Sequence, residues 1–174
     1  MKKLIFLLLF ALGTVFAQTD TPNYDKYSVT VSAGSDLWRS PFAPKFTGGV
    51  QVGYKFAENY KKFFDTTYAS VMFTGNTRTD AMTYHVGVQR TMMNDRDRMG
   101  LLFKVEGGAT TLFGYRDVTK PSVAAGIGLG FDFSGSPYPA WMNHTVLSLV
   151  PMTNKVVSFP VYETLTLSFT KTFK

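Results

Sequence analysis

The chain has 174 residues, a formal net charge of +6, 45% hydrophobic residues and 16 phenylalanines, which is the size of one domain with ample apolar surface. It has no cysteine, which excludes disulfides, thiol nucleophiles, thiolate metal sites and a lipoprotein anchor, and its 2 histidines are too few for a histidine-rich metal cluster. No metal or cofactor is expected, and the basic residues gather in short turn-like segments (Lys61, Lys62, Arg96, Arg98) rather than along one face, so lipid phosphates are expected as partners and nucleic acid is not.

Lys2 and Lys3 precede an apolar run from Leu4 to Phe16, and Val15-Phe16-Ala17 supplies a cleavage site, so residues 1–17 are expected to be a signal peptide. Cleavage there makes Gln18 the first mature residue and leaves a chain of 157 (174 less 17) with a net charge of +4 once Lys2 and Lys3 are gone. Gln18 to Asp25 is polar and contains a proline, as a short periplasmic lead-in would. Nothing after the leader is apolar for long enough to form a membrane helix.

From Lys26 onward the dominant pattern is alternation, an apolar residue at every second position with small or polar residues between. Successive side chains of a strand point to opposite faces, so each such segment has one apolar and one polar side. The pattern predicts strands over 26–33, 45–57, 63–73, 81–92, 101–113, 122–133, 141–150 and 156–173. The sixth is the clearest. Val123, Ala125, Ile127, Leu129, Phe131 and Phe133 share one face, and Ser122, Ala124, Gly126, Gly128, Gly130 and Asp132 share the other. The third has aromatics on both faces, which leaves its facing open. Proline, glycine and charged clusters separate the segments: Ser40–Pro44, Glu58–Lys62, Gly75-Asn76, Asn94–Arg98, Ser134–Pro137 and Met152–Lys155.

A sheet in hydrocarbon must close on itself to satisfy its backbone, and eight strands of about ten residues fit the mature length. The bulk of the two faces separates a membrane barrel from a soluble one. The glycine-rich face suits a narrow lumen and the aromatic, branched face suits lipid. The predicted architecture is therefore an all-β, eight-stranded antiparallel transmembrane β-barrel with up-and-down meander topology over 26–174. An even strand count puts both ends of the chain on one side, the periplasm, with the connections near 37–44, 74–80, 114–121 and 151–156 facing outward. Aromatics gather at the predicted ends of strands (Tyr54, Phe56, Phe73, Phe113, Trp141), as interfacial belts would. With these strands and the ending Leu165-x-Leu167-x-Phe169-x-Lys171-x-Phe173, the chain resembles the small eight-stranded outer-membrane proteins, the OmpA transmembrane domain and OmpX-like class. The terminal alternation is similar to the signal that barrel-assembly machinery reads in that class. It departs at Lys171 and in having Lys174 after the last phenylalanine.

Two constellations carry possible chemistry. On the polar faces, Gln51, His85, Lys104, Glu106 and Asp132 point into the lumen, joined by Lys55 and Gln89. An eight-stranded interior is just filled by side chains, so these groups are expected to pair as a polar network. On the outer wall, a hairpin turning near Thr153-Asn154 sets His144 and Ser148 of the seventh strand beside Glu163 of the eighth. Histidine, serine and carboxylate together make an activated nucleophile, and on a barrel wall this is similar to the lipid A 3-O-deacylase family. That family carries His-x-Ser-Asn, whereas here the run is His144-Thr145-Val146-Leu147-Ser148. Gly126-x-Gly128-x-Gly130 lies inside a strand and is not a nucleotide-binding fingerprint. The expected function is a monomeric, non-enzymatic outer-membrane protein of a Gram-negative envelope, structural or surface-interacting, in contact with membrane lipid and lipopolysaccharide. The alternatives are a lipid A-modifying acyl hydrolase using His144, Ser148 and Glu163, and a narrow solute or ion channel.

Overall fold

The computed structural model describes residues 26–36, 45–56, 64–75, 80–94, 98–113, 118–133, 139 and 142–173. The expected signal peptide 1–17 and lead-in 18–25, and Trp141 of the expected aromatic belts, lie outside the described residues. Eight strands follow one another: β1 (Tyr27–Asp36), β2 (Phe46–Lys55), β3 (Thr66–Gly75), β4 (Asp80–Asn94), β5 (Met99–Phe113), β6 (Val118–Asp132), β7 (Thr145–Val156) and β8 (Tyr162–Phe173). Each pairs antiparallel with its neighbours in sequence, and β1 also pairs with β8, so the sheet is a closed meander barrel with no edge strand. This is the all-β, eight-stranded antiparallel architecture that the alternation predicts.

Period-two patterning sets the facing of every strand. Val31, Val52, Val71, Val86, Val105, Val123, Leu149 and Leu167, one from each strand in turn, are exposed on the outer wall. The residues between them are buried in the lumen: Thr30, Gln51, Ser70, His85, Glu106, Ser122, Ser148 and Thr166. The third strand, undecided from sequence, places Tyr68 and Ser70 inside with Val71 and Phe73 outside. Part of the lumen is apolar. Leu102, Ala124, Val150 and Met152 form one buried cluster. The glycines of β6 make room for it, because a Cβ at Gly126 would strike Met152 and one at Gly128 would strike Val150.

The seventh strand and its hairpin differ from expectation. The alternation does not stop before Met152; Val150, Met152 and Val156 are all buried, with half-buried Asn154 in the same inward row. The chain reverses beyond Val156, where Phe159 N–H bonds Val156 C=O and Ser158 has a φ of 73°. Pro151 marks no strand end. The β6–β7 register runs from Gly126↔Met152 to Leu129↔Leu149 and skips the positions between, as expected where a proline has no N–H to donate. Ser158 and Pro160 supply the turn chemistry expected of the 152–155 segment.

Candidate functional site: a buried polar cluster in the lumen

Two cross-strand rows build the cluster, and in each the middle position is glycine. Across β3, β4 and β5 the row is Tyr68↔Gly87↔Glu106. A Cβ at Gly87 would lie 2.6 Å from the Tyr68 ring, so the absent side chain lets Tyr68 reach over the strand. Its hydroxyl donates to Glu106 Oε2 at 2.9 Å. Across β4, β5 and β6 the row is His85↔Gly108↔Ser122. A Cβ at Gly108 would strike the Tyr84 carbonyl and the His85 ring; without it, His85 Nε2 lies 2.7 Å from Ser122 Oγ. Glu106 belongs to both rows, since its Oε1 is 3.0 Å from His85 Nδ1.

The bonds fix a direction. Ionised Glu106 can only accept, so His85 Nδ1–H donates to it, and in neutral imidazole Nε2 is then an acceptor. Thr110 Oγ1 donates to Ser122 Oγ at 2.8 Å, which leaves the Ser122 proton for His85 Nε2. Thr83 lies 3.0 Å behind Thr110. Lys104, next inward on β5, donates to Gln51 Oε1 at 2.6 Å and sits 4.8 Å from the Tyr68 ring centroid. Hydrogen bonds to a charged partner are worth about 1.5–3 kcal/mol each, and stranding one charge here costs more. Two small cavities flank Glu106. One is lined by His85, Thr110, Ser122, Tyr162 and Lys155, the other by Lys104, Gln51, Ser70, Thr166 and Ser168.

Of the expected luminal network, Gln51, His85, Lys104 and Glu106 come together. Asp132 does not. It lies six residues along β6 from Gly126, the partner of Lys104, or about 20 Å away, and its N–H bonds the Arg98 carbonyl. Alternation fixes its facing but says nothing of how far along the strand it lies from Lys104. Gln89 bonds Thr91, and Lys55 closes the far end of β2. Tyr68 and Ser122 were not recognised as members of the network. The glycines at 87 and 108 point to them, but only once the register pairs those glycines with them.

The expected wall constellation does not assemble. Glu163 stands opposite Thr153, nine residues along β7 from position 144, or about 30 Å. His144 precedes β7 with a φ of 58° and is exposed, while its carbonyl accepts from Thr172 N–H. Ser148 faces inward, 3% exposed, opposite Gly130 and Ser168. The cause is the hairpin: carrying β7 past Pro151 moves the turn from 153–154 to 157–161 and slides the whole register.

No protein-family model matches the chain, and no curated protein sequence matches it. Solved structures do. Neisserial surface protein A superposes with a TM-score of 0.56 at 15% identity, over 84% of this chain and 96% of that one. The outer membrane enzyme PagL does so with a TM-score of 0.52 at 9% identity, over 83% of this chain and 98% of that one. The chain thus has the fold of the small eight-stranded outer-membrane β-barrels. At these identities the likeness is one of fold and carries no site from either protein.

Proposed function

We propose that the protein is an integral outer-membrane barrel of a Gram-negative envelope, exported on the 1–17 leader and seated in lipid as a monomer with a closed lumen. The observation that carries this reading is the wall itself. All eight strands expose an apolar side chain outward and bury a polar one within, the reverse of a barrel dissolved in water. A closed sheet leaves no unpaired edge for hydrocarbon to meet. Lipopolysaccharide and neighbouring lipids are its contacts on the wall, and the barrel-assembly machinery inserts it. The role is structural or surface-interacting, through the connections at 37–45, 76–79, 114–117 and 157–161. The apolar cluster of Leu102, Ala124, Val150 and Met152, beside the Glu106 cluster, argues for a plug and against a solute path.

Export of the full chain in a Gram-negative host, followed by separation of inner and outer membranes, tests this. The expected result is a protein starting at Gln18 in the outer fraction, with a heat-dependent shift in electrophoretic mobility and no unit conductance in planar bilayers. Recovery from the soluble periplasm would overturn the membrane reading, and steady conductance would overturn the plug.

A further inference from the structure

We propose that Ser122 is an activated nucleophile, and that the lumen end it occupies takes short-chain, acetyl-sized oxygen esters. This goes beyond the reading of the protein as a membrane barrel and beyond its wall. The carboxylate–imidazole–hydroxyl chain Glu106–His85–Ser122 is assembled with spacings of 3.0 and 2.7 Å. Those distances meet the requirement that the nucleophile bond its base while a third group orients the base. The donor order runs the right way: Thr110 occupies a lone pair of Ser122 Oγ, so the Ser122 proton faces His85 Nε2.

Ser122 also has a place for a substrate. The pocket it lines with His85 and Thr110 extends to Tyr162 and to exposed Lys155, at the end of the barrel that carries the 114–117 and 157–161 connections. The free volume is about 390 Å³ including the mouth, but at full clearance it admits only about one or two water-sized groups. That limit favours a two-carbon acyl group and excludes a fatty acyl chain. Tyr162 also lines this pocket, and its hydroxyl is the group assigned to donate to the carbonyl oxygen as it gains charge, because the Thr110 proton is held by Ser122 Oγ.

In the reaction, Ser122 Oγ bonds the ester carbonyl carbon while its proton passes to His85 Nε2. The carbon–oxygen bond to the alcohol then breaks, and Nε2 returns the proton to the departing oxygen. Water adds to the acyl-serine, giving a proton to Nε2. That proton returns to Ser122 Oγ as the acyl bond breaks and a short carboxylic acid leaves. Glu106 keeps the imidazole in the tautomer that each step uses.

The test is covalent trapping of the full, folded barrel in detergent with dimethyl fluorophosphate, read by intact mass and peptide mapping. The expected result is one adduct on Ser122 in the folded protein and none in the denatured protein. In His85→Gln, labelling should slow by at least about a hundredfold, the usual share of a general base. p-Nitrophenyl acetate should turn over and the octanoate should not, with turnover lost in Ser122→Ala. If Ser122→Ala fails to fold, the wild-type adduct map still decides. No adduct on Ser122, equal labelling after denaturation, or an unslowed folded His85→Gln variant would each overturn the proposal, and none of them touches the membrane reading.

Discussion

The outer wall and the lumen are made from the same eight strands, one residue apart, yet they are specified differently. On β4, Tyr84 and Val86 face outward and are exposed, while His85 between them is 5% exposed and bonded at both ring nitrogens. The wall asks of each residue only that it be apolar, because its neighbour is solvent. The lumen asks for a particular partner, because Tyr68, Glu106 and Lys104 satisfy one another or stand unpaired. The lesson is that substitutions on the wall should be graded by polarity and depth, and those in the lumen by the group they leave alone.

Removing the shared acceptor is the harshest test of that contrast. Glu106→Gln keeps the shape but removes the carboxylate charge that shares a cavity with the Lys104 ammonium and weakens the charge-assisted bonds from Tyr68 and His85. We expect a loss of about 3–5 kcal/mol, the range for breaking a buried pair from one side, measured by urea unfolding in lipid vesicles. A loss under about 1 kcal/mol, as small as for a surface pair, would mean that the cluster is solvated and the lumen open.

On the wall, Val86→Arg places a charge on the most exposed large hydrophobic side chain among the described residues, at 67%. An arginine near the membrane midplane costs about 2–4 kcal/mol, and Val86→Leu should cost almost nothing. The same vesicle titration measures both. If arginine were harmless in lipid, the wall would not face hydrocarbon and the contrast with the lumen would fail. Gly108→Ala comes next. Its new methyl has nowhere to go between the Tyr84 carbonyl and the His85 ring, and overpacking of this kind costs about 1–3 kcal/mol. It should also part His85 from Ser122, which exchange of the His85 ring protons in NMR spectra would report.

These two regions were not equally legible in the sequence. The wall was, because alternation is a local property: Val123, Ile127 and Leu129 announce an outward face without reference to any other strand. The polar inventory of the lumen was legible for the same reason, which is why Lys104, Glu106, His85 and Gln51 were expected inside. What joins them is register, and register depends on where each hairpin turns. Pro151 looked like the end of a strand and moved the β7–β8 turn by several residues, which put His144 beside Glu163 on paper and about 30 Å from it in the barrel. Tyr68 and Ser122 stayed hidden because their links to Glu106 and His85 pass over Gly87 and Gly108. A glycine signals room, but sequence alone does not say for whom.

Pro151 itself gives the smallest effect and separates backbone from side chain at the wall. Its outward side chain suits lipid, but its lack of an N–H interrupts the β6–β7 ladder opposite Ile127, between the pairs Gly126↔Met152 and Leu129↔Leu149. Pro151→Ala restores the donor, and one added hydrogen bond is worth about 0.5–1.5 kcal/mol. The substitution also frees the unfolded chain, which costs about 0.4–1 kcal/mol. The two nearly offset, so global stability should move by less than about 1 kcal/mol. Locally there is no such cancellation. The new amide at 151 should exchange slowly with deuterated solvent, like its neighbours in the ladder. Fast exchange there would mean that β6 and β7 are held apart by the packing of Val150 and Met152 against Gly128 and Gly126, with the proline a consequence of that spacing and not its cause.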